Sequence, residues 1–159
     1  MPPKLWIRVD NRLIHGQIVE NWLPYLNVGV IVVANDQLVQ DELQQEIIRL
    51  AVPKGIRLAF CAVQRILETL NASWSEGNGK TFLIIFDSCS DARRAVQAGL
   101  PVSRLNIGNI HYELGKQQIC DHIALSREDI QCLRFFEQKG VRLDFRCLPN
   151  RQVQVKTIW

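Results

Sequence analysis

No apolar run in this 159-residue sequence is longer than the seven residues from Val28 to Ala34. That is far short of the roughly 20 residues a helix needs to cross a bilayer. The opening MPPKLWIRVD lacks the apolar core of a secretory signal, so a cytoplasmic chain is expected. Charge of one sign is also scarce: 19 Lys and Arg against 16 Asp and Glu leave a formal +3. Such a balance excludes a general nucleic-acid surface, although clustered arginines could still favour a phosphorylated or acidic partner. The five cysteines, at 61, 89, 120, 132 and 147, are odd in number and contain no C-x-x-C pair. A disulfide framework and a zinc ribbon are both excluded on that spacing. Cys120, Asp121 and His122 lie together, but no second cluster supplies further ligands, so no metal and no cofactor are expected. Missing as well are G-x-x-x-x-G-K-[ST], a G-x-G-x-x-G after the first strand, and G-x-S-x-G, which argues against nucleotide binding and a hydrolase elbow.

What is present is a regular alternation. Leu5–Val9 reads as a strand ending at Asp10 and Asn11, and about Ile14 to Leu26 as a helix with Ile14, Ile18, Trp22 and Tyr25 on one side. Pro24 is expected to end or distort that helix late. Val28–Ala34 has the β-branched, unbroken character of a strand covered on both faces. Gln37 to Val52 reads as a helix whose Leu38, Leu43, Ile47, Ile48 and Leu50 form a buried stripe. The pattern continues with a strand at Ile56–Phe60, a helix at Ala62–Leu70, a polar loop at Ser73–Lys80 and a strand at Thr81–Phe86. A helix capped by Ser90 or Asp91 runs to Ala98, a strand occupies Ser103–Ile107, and Gly108-Asn109 reads as a turn. Ser126, with Asp129 three places on, opens a last helix to Lys139, and a final strand spans Val141–Arg146. Strand–helix alternation throughout implies a single α/β domain over 1–159: an open, mostly parallel twisted sheet with helices on both faces. Ligands in such sheets meet the carboxyl ends of strands, here the loops opening at Asp10, Asn35, Phe86 and Gly108.

One of those loops is chemically dense. Arg8-Val9-Asp10-Asn11-Arg12-Leu13-Ile14-His15-Gly16-Gln17 places two arginines, an aspartate and a histidine within eight residues at a strand-to-helix switch. The bland reading is two solvated arginines and a polar helix start. Three points favour chemistry. A helix N-terminus disfavours imidazolium and keeps the ring neutral, the form whose nitrogen attacks phosphorus. The first-turn amides are ready donors for phosphoryl oxygens. Arg12 offers those oxygens a planar fork, while Asp10 could hold the His15 tautomer or orient Arg12. Gly16 leaves room for a partner's active site.

The string at 8–17 resembles the active-site loop of IIB subunits of the mannose/sorbose-type bacterial sugar phosphotransferase system. Val30–Asp36 is similar to that family's second strand and Asp-ended loop, and Leu105–Tyr112, with Gly115-Lys116, to its Asn-x-Gly-containing loop. The resemblance implies a phosphocarrier and phosphotransferase. His15 would accept phosphoryl from a phosphohistidine on IIA, on ring Nδ1, and pass it to a sugar taken up through the membrane subunits IIC and IID. Arg12 and Asp10 would assist, and Arg8, Asn11, Gly16, Gln17, Asp36 and Asn109 would contact phosphate or partner. It also implies a cytoplasmic chain peripheral to a transporter. A regulatory IIB-like protein, phosphorylated on His15 but signalling to a partner, fits the same motif. Assembly state stays open, a homodimer included. His111 either approaches His15 across the strand ends or bonds locally in its loop, and His122 reads as structural. The four tryptophans read as packing, with Trp22 the one suspected of lying under a partner.

Overall fold

The computed structural model describes residues 4–159. Six strands form one parallel sheet: β1 (Leu5–Asp10), β2 (Val28–Ala34), β3 (Arg57–Cys61), β4 (Thr81–Phe86), β5 (Arg104–Asn109) and β8 (Arg142–Asp144), in the order β3-β2-β4-β1-β5-β8. The runs without polar alternation, β2 and β4, are buried at every residue because helices cover both their faces. The edge strands β3 and β8 are shorter and only partly covered. Between β5 and β8 the chain adds an antiparallel hairpin, β6 (Gln117–Cys120) and β7 (Ile123–Leu125), which the sequence pattern did not announce.

The connection from β1 to β2 crosses one face of the sheet. It begins helically at residue 16, passes through a π-helical turn at Ile18–Trp22 and ends as α1 (Leu23–Leu26). Pro24 does not end this helix. A proline there cannot donate to the carbonyl four residues back, and the turn before it is widened, with the Leu23 amide donating five residues back to Ile18. Asn27 closes it in the left-handed conformation (φ 51°). The same face receives α2 (Glu42–Ala51), capped by Asp41. Trp6, Ile18, Trp22, Leu26, Ile31 and Leu83 belong to the core on this side.

From β3 the path turns back. Helices α3 (Ile66–Ser73), α4 (Cys89–Gln97) and α5 (Arg127–Gln138) lie on the opposite face, over a core that includes Ile66, Phe82, Ile84, Phe86, Leu133 and Phe136. The capping box at Ser126 forms as read, with the Ser126 hydroxyl accepting from the Asp129 amide and the Asp129 carboxylate accepting from the Ser126 amide. Because β1 leaves toward one face while its neighbours β4 and β5 leave toward the other, a crevice opens where their loops part. Asp10 stands at that point, the last residue of β1.

Four local expectations are corrected. The α4 cap is Ser88, whose hydroxyl accepts from the Asp91 amide, rather than Ser90 or Asp91. Gly108 and Asn109 belong to β5, because a bulge there keeps them paired instead of turning the chain. The segment from Gln37 breaks at Asp41, where a 3₁₀ turn (Leu38–Gln40) gives way to α2. Its stripe is not buried: Leu43, Ile47 and Leu50 are 69%, 51% and 88% exposed, and Leu38 alone of the five is buried. An apolar face on a helix reports only that something could cover it, and among the described residues nothing covers this one.

Candidate functional site

The site is built around one carboxylate. Asp10 is fully buried at the end of β1, and five polar hydrogen atoms converge on it. Its Oδ1 accepts from the Arg12 amide at 3.0 Å. Its Oδ2 accepts from Arg8 Nη2 at 3.0 Å, Arg8 Nε at 3.3 Å, Asn109 Nδ2 at 2.9 Å and His15 Nε2 at 2.7 Å. Burial alone would raise the Asp10 carboxyl, but the His15 hydrogen bond, the Arg8 cation and the Asn109 amide outweigh it and hold it below the ordinary carboxylate value. A carboxylate so held is an acceptor only. The hydrogen between it and His15 therefore sits on Nε2, and the lone pair of the neutral ring is left on Nδ1. Nδ1 has no hydrogen-bond partner among the described residues, and the side chain is 13% exposed.

The local backbone follows from the turn that carries these groups. The Leu13 amide donates back to the Asp10 carbonyl at 2.9 Å, and Leu13 adopts φ 56°. A left-handed leucine costs about 1–2 kcal/mol. The turn sets His15 immediately before the helix, where its carbonyl accepts from the Val19 amide. Gly16 and Gln17 follow as the first helical residues. Among the described residues no atom lies within 4 Å of where a Gly16 β-carbon would be, so the backbone there is open to an incoming group. Arg12 is half exposed, its Nη2 donates to Gln17 Oε1 at 3.0 Å, and its Nε lies 4.0 Å from Asp10 Oδ1. One carboxylate thus positions both the imidazole and the exposed guanidinium.

Arg8 is the principal correction to the sequence reading. Expected to face phosphate or partner, it is wholly buried. Beyond Asp10 it donates to Asn106 Oδ1 at 2.6 Å and to the carbonyls of Arg146 and Cys147, and it lies over the Trp22 ring at 5.0 Å. Trp22 is itself fully buried, its indole N–H donating to the Cys147 carbonyl at 2.8 Å, so no partner can cover it. Asp36 is also drawn elsewhere: its carboxylate accepts from the Val63 amide and from Arg94, each bond holding it below the ordinary value. Neither of its partners belongs to the His15 cluster. Asn109 reaches Asp10, and the Asn11 amide donates to the Asn109 carbonyl at 3.1 Å. His111 bonds locally, its Nε2 lying 3.1 Å from Glu113 Oε1. It nevertheless lines a cleft of about 530 Å³ with Asn11, Arg12, Asn109 and Tyr112. His122 Nε2–H donates to the Phe145 carbonyl at 2.9 Å.

Two residues that matter, Asn106 and Gly108, were not among the expected site residues. Asn106 accepts from Arg8 and donates to the Asp144 and Arg146 carbonyls, tying β1 to β8 through β5. Gly108 is the bulged residue of β5: Val9 pairs with Ile107 and Asp10 with Asn109. A β-carbon at Gly108 would overlap the Arg8 guanidinium, and without the bulge Asn109 would not stand opposite Asp10. Their only signal was the Asn-x-Gly string itself.

An open parallel sheet carrying a carboxylate-oriented histidine at its switch point defines a class of site suited to group transfer. The chain matches the family described as PTS system sorbose subfamily IIB component over residues 5–157. It is 30% identical over 150 residues to the N-acetylgalactosamine-specific phosphotransferase enzyme IIB component 2 of Escherichia coli, covering 94% of each chain. It is 25% identical over 139 residues to the mannose-specific EIIAB component of Escherichia coli, spanning 87% of this chain and 42% of that one. Among solved structures, an N-acetyl-galactosamine IIB component from Streptococcus pyogenes superposes with a TM-score of 0.88 at 28% identity, covering 99% of this chain and 97% of that one. The chain belongs to the sorbose subfamily of IIB components of the sugar phosphotransferase system, and is a phosphocarrier of that system. No helix among the described residues is long and apolar enough to cross a membrane.

Proposed function

We propose that His15 is the phosphoryl carrier, with Nδ1 as the reacting atom. The observation that carries this reading is the 2.7 Å contact from Nε2 to a buried, ionised Asp10, which leaves Nδ1 as the nucleophile. Nδ1 attacks the phosphorus of a donor phosphohistidine. The new N–P bond forms as the donor's N–P bond breaks, and the donor imidazole leaves. As the His15 ring gains positive charge, Asp10 offsets it through the Nε2–H, the role a buried carboxylate plays behind a catalytic histidine. Arg12 and the backbone amides of the first turn after His15 meet the equatorial oxygens. In the second transfer a sugar hydroxyl oxygen attacks the phosphorus and the His15 N–P bond breaks. The ring leaves as neutral imidazole with its hydrogen on Nε2, and the hydroxyl proton passes to a base of the sugar-presenting subunit or to water.

The donor is a IIA domain and the acceptor a sugar presented by membrane subunits IIC and IID. Support comes from the relative in which IIA and IIB share one chain, and from the open backbone at Gly16, which admits a second protein's active site. The test is labelling with phospho-IIA followed by mapping of the modified residue. An acid-labile, alkali-stable phosphoryl group on His15, absent from His15→Ala, is expected. Equal labelling of that variant, or a phosphoryl group found on His111 instead, overturns the assignment.

A further inference from the structure

A second concentration of positive charge lies on the edge of the sheet, outside the His15 cluster. Arg104 at the start of β5, Arg142 at the start of β8 and Arg146 just beyond β8 converge on an open cleft of about 540 Å³, with Tyr25 and Gln152 on its rim. Arg104 and Arg142 pair across the two strands in register. Among the described residues one carboxylate lines the cleft, Asp144, and Arg146 already engages it from Nε and Nη2 at 2.7 to 3.2 Å. Arg104 and Arg142 have no carboxylate partner among the described residues. Arg146 is committed, with its Nη1 donating to the Pro149 carbonyl at 2.9 Å. Arg104 and Arg142 are thus the two guanidinium groups on this cleft left without a carboxylate among the described residues, and an anion bound there offsets their charge.

Two of the three arginines are held against aromatic rings, while Arg142 is exposed. Arg104 stacks on Trp6 at 5.6 Å, and Arg146 lies against Trp6, Trp22 and Tyr25 at 5.9, 5.5 and 6.0 Å. Cation–aromatic contact of this kind fixes the plane of a guanidinium and lowers the entropy lost when it grips a ligand. Trp6 itself has a buried indole N–H with no acceptor among the described residues. Planar guanidinium forks backed by aromatic rings suit the oxygens of a phosphate group, and the Tyr25 hydroxyl and Gln152 amide lining the cleft suit a polyhydroxyl body.

We propose that this cleft is a binding site for a small phosphorylated ligand, separate from the His15 centre. The ladder Asp144–Asn106–Arg8–Asp10 runs from the cleft wall to His15. The binding reading does not depend on His15 being the carrier, since it is tested without phosphoryl transfer.

The test is an amide and arginine-side-chain NMR titration at constant ionic strength, using inorganic phosphate, a hexose 6-phosphate and the free hexose in turn. Expected are saturable shifts at Tyr25, Arg104 and Asp144–Arg146 with both phosphate probes and none with free hexose. Tighter binding of the hexose 6-phosphate identifies a sugar phosphate as the ligand class; equal binding identifies the phosphate group alone. Arg142→Gln, at an exposed position, should weaken binding roughly tenfold, the loss of one charge-assisted contact. Arg104→Gln should do the same. Shifts that fail to saturate, that chloride reproduces, or that survive both substitutions overturn the proposal.

Discussion

Gly108→Ala is the sharpest test of how the site is held. Its methyl group would occupy the space of the Arg8 guanidinium carbon, which lies directly against the β5 backbone. Arg8 cannot step aside. Its Nε and Nη2 donate to Asp10, its Nη1 to Asn106 and the Arg146 carbonyl, and the Trp22 ring closes the other side. Displacing it breaks a buried ion pair, a loss of about 3–5 kcal/mol. In a domain of this size about 1 kcal/mol moves Tm by roughly 2–4 °C, so a fall on the order of 10 °C is expected by calorimetry or circular dichroism. Phosphorylation of His15 should slow in the same variant, because Asp10 loses its fixed position. The cause is isolated by a double-mutant cycle. In an Arg8→Met background the added methyl has room, and its cost should shrink to under about 1 kcal/mol. A Gly108→Ala protein that melts within about 2 °C of the parent would refute the close approach on which this reasoning rests. So would an undiminished cost in the Arg8→Met background.

Other expectations are simpler. Arg12→Ala should melt like the parent, since the side chain is half exposed, but transfer phosphoryl at least tenfold more slowly; an unchanged rate removes its role. Gly16→Ala, with open space around the new carbon, should leave stability unchanged or raise it by up to about 1 kcal/mol, while slowing transfer from a protein donor. Asp10 and Asp144 both titrate below their ordinary value in the folded chain. Their contribution to stability is therefore complete above the unfolded carboxyl value, about 3.9, and is lost as pH falls through the folded values. Chemical denaturation from pH 7 downward should show a decline that sets in as pH falls below about 4 and is shallower in Asp144→Asn. Ser126→Ala should cost about 1 kcal/mol through the lost cap and leave phosphoryl transfer untouched, as measured by urea denaturation alongside a transfer assay.

Strand–helix alternation, the unbroken apolar strands and the Ser126 capping box were legible from the residues because each is a local matter of period and turn chemistry. So was the density of the 8–17 segment. The left-out hairpin at β6–β7 shows the limit, since its few residues carry too little pattern to stand apart from a loop. Burial was less legible still. Leu43, Ile47 and Leu50 have helical spacing yet face solvent. The same string that carries His15 also carries an arginine whose position no local rule could assign.

By itself the order of amino acids determined that an open parallel sheet would form and that a histidine would stand where its first strand meets a helix, since both depend on neighbours a few positions apart. Which of the two arginines in that segment faces solvent, which nitrogen of the histidine is left free, and why a glycine must stand at 108 were decided only in three dimensions. Those answers depend on Arg8 meeting Asn106 from 98 positions away, and on a bulge that brings Asn109 opposite Asp10. Contacts between distant segments set the electrostatics of a buried carboxylate, and no pattern within either segment encodes them.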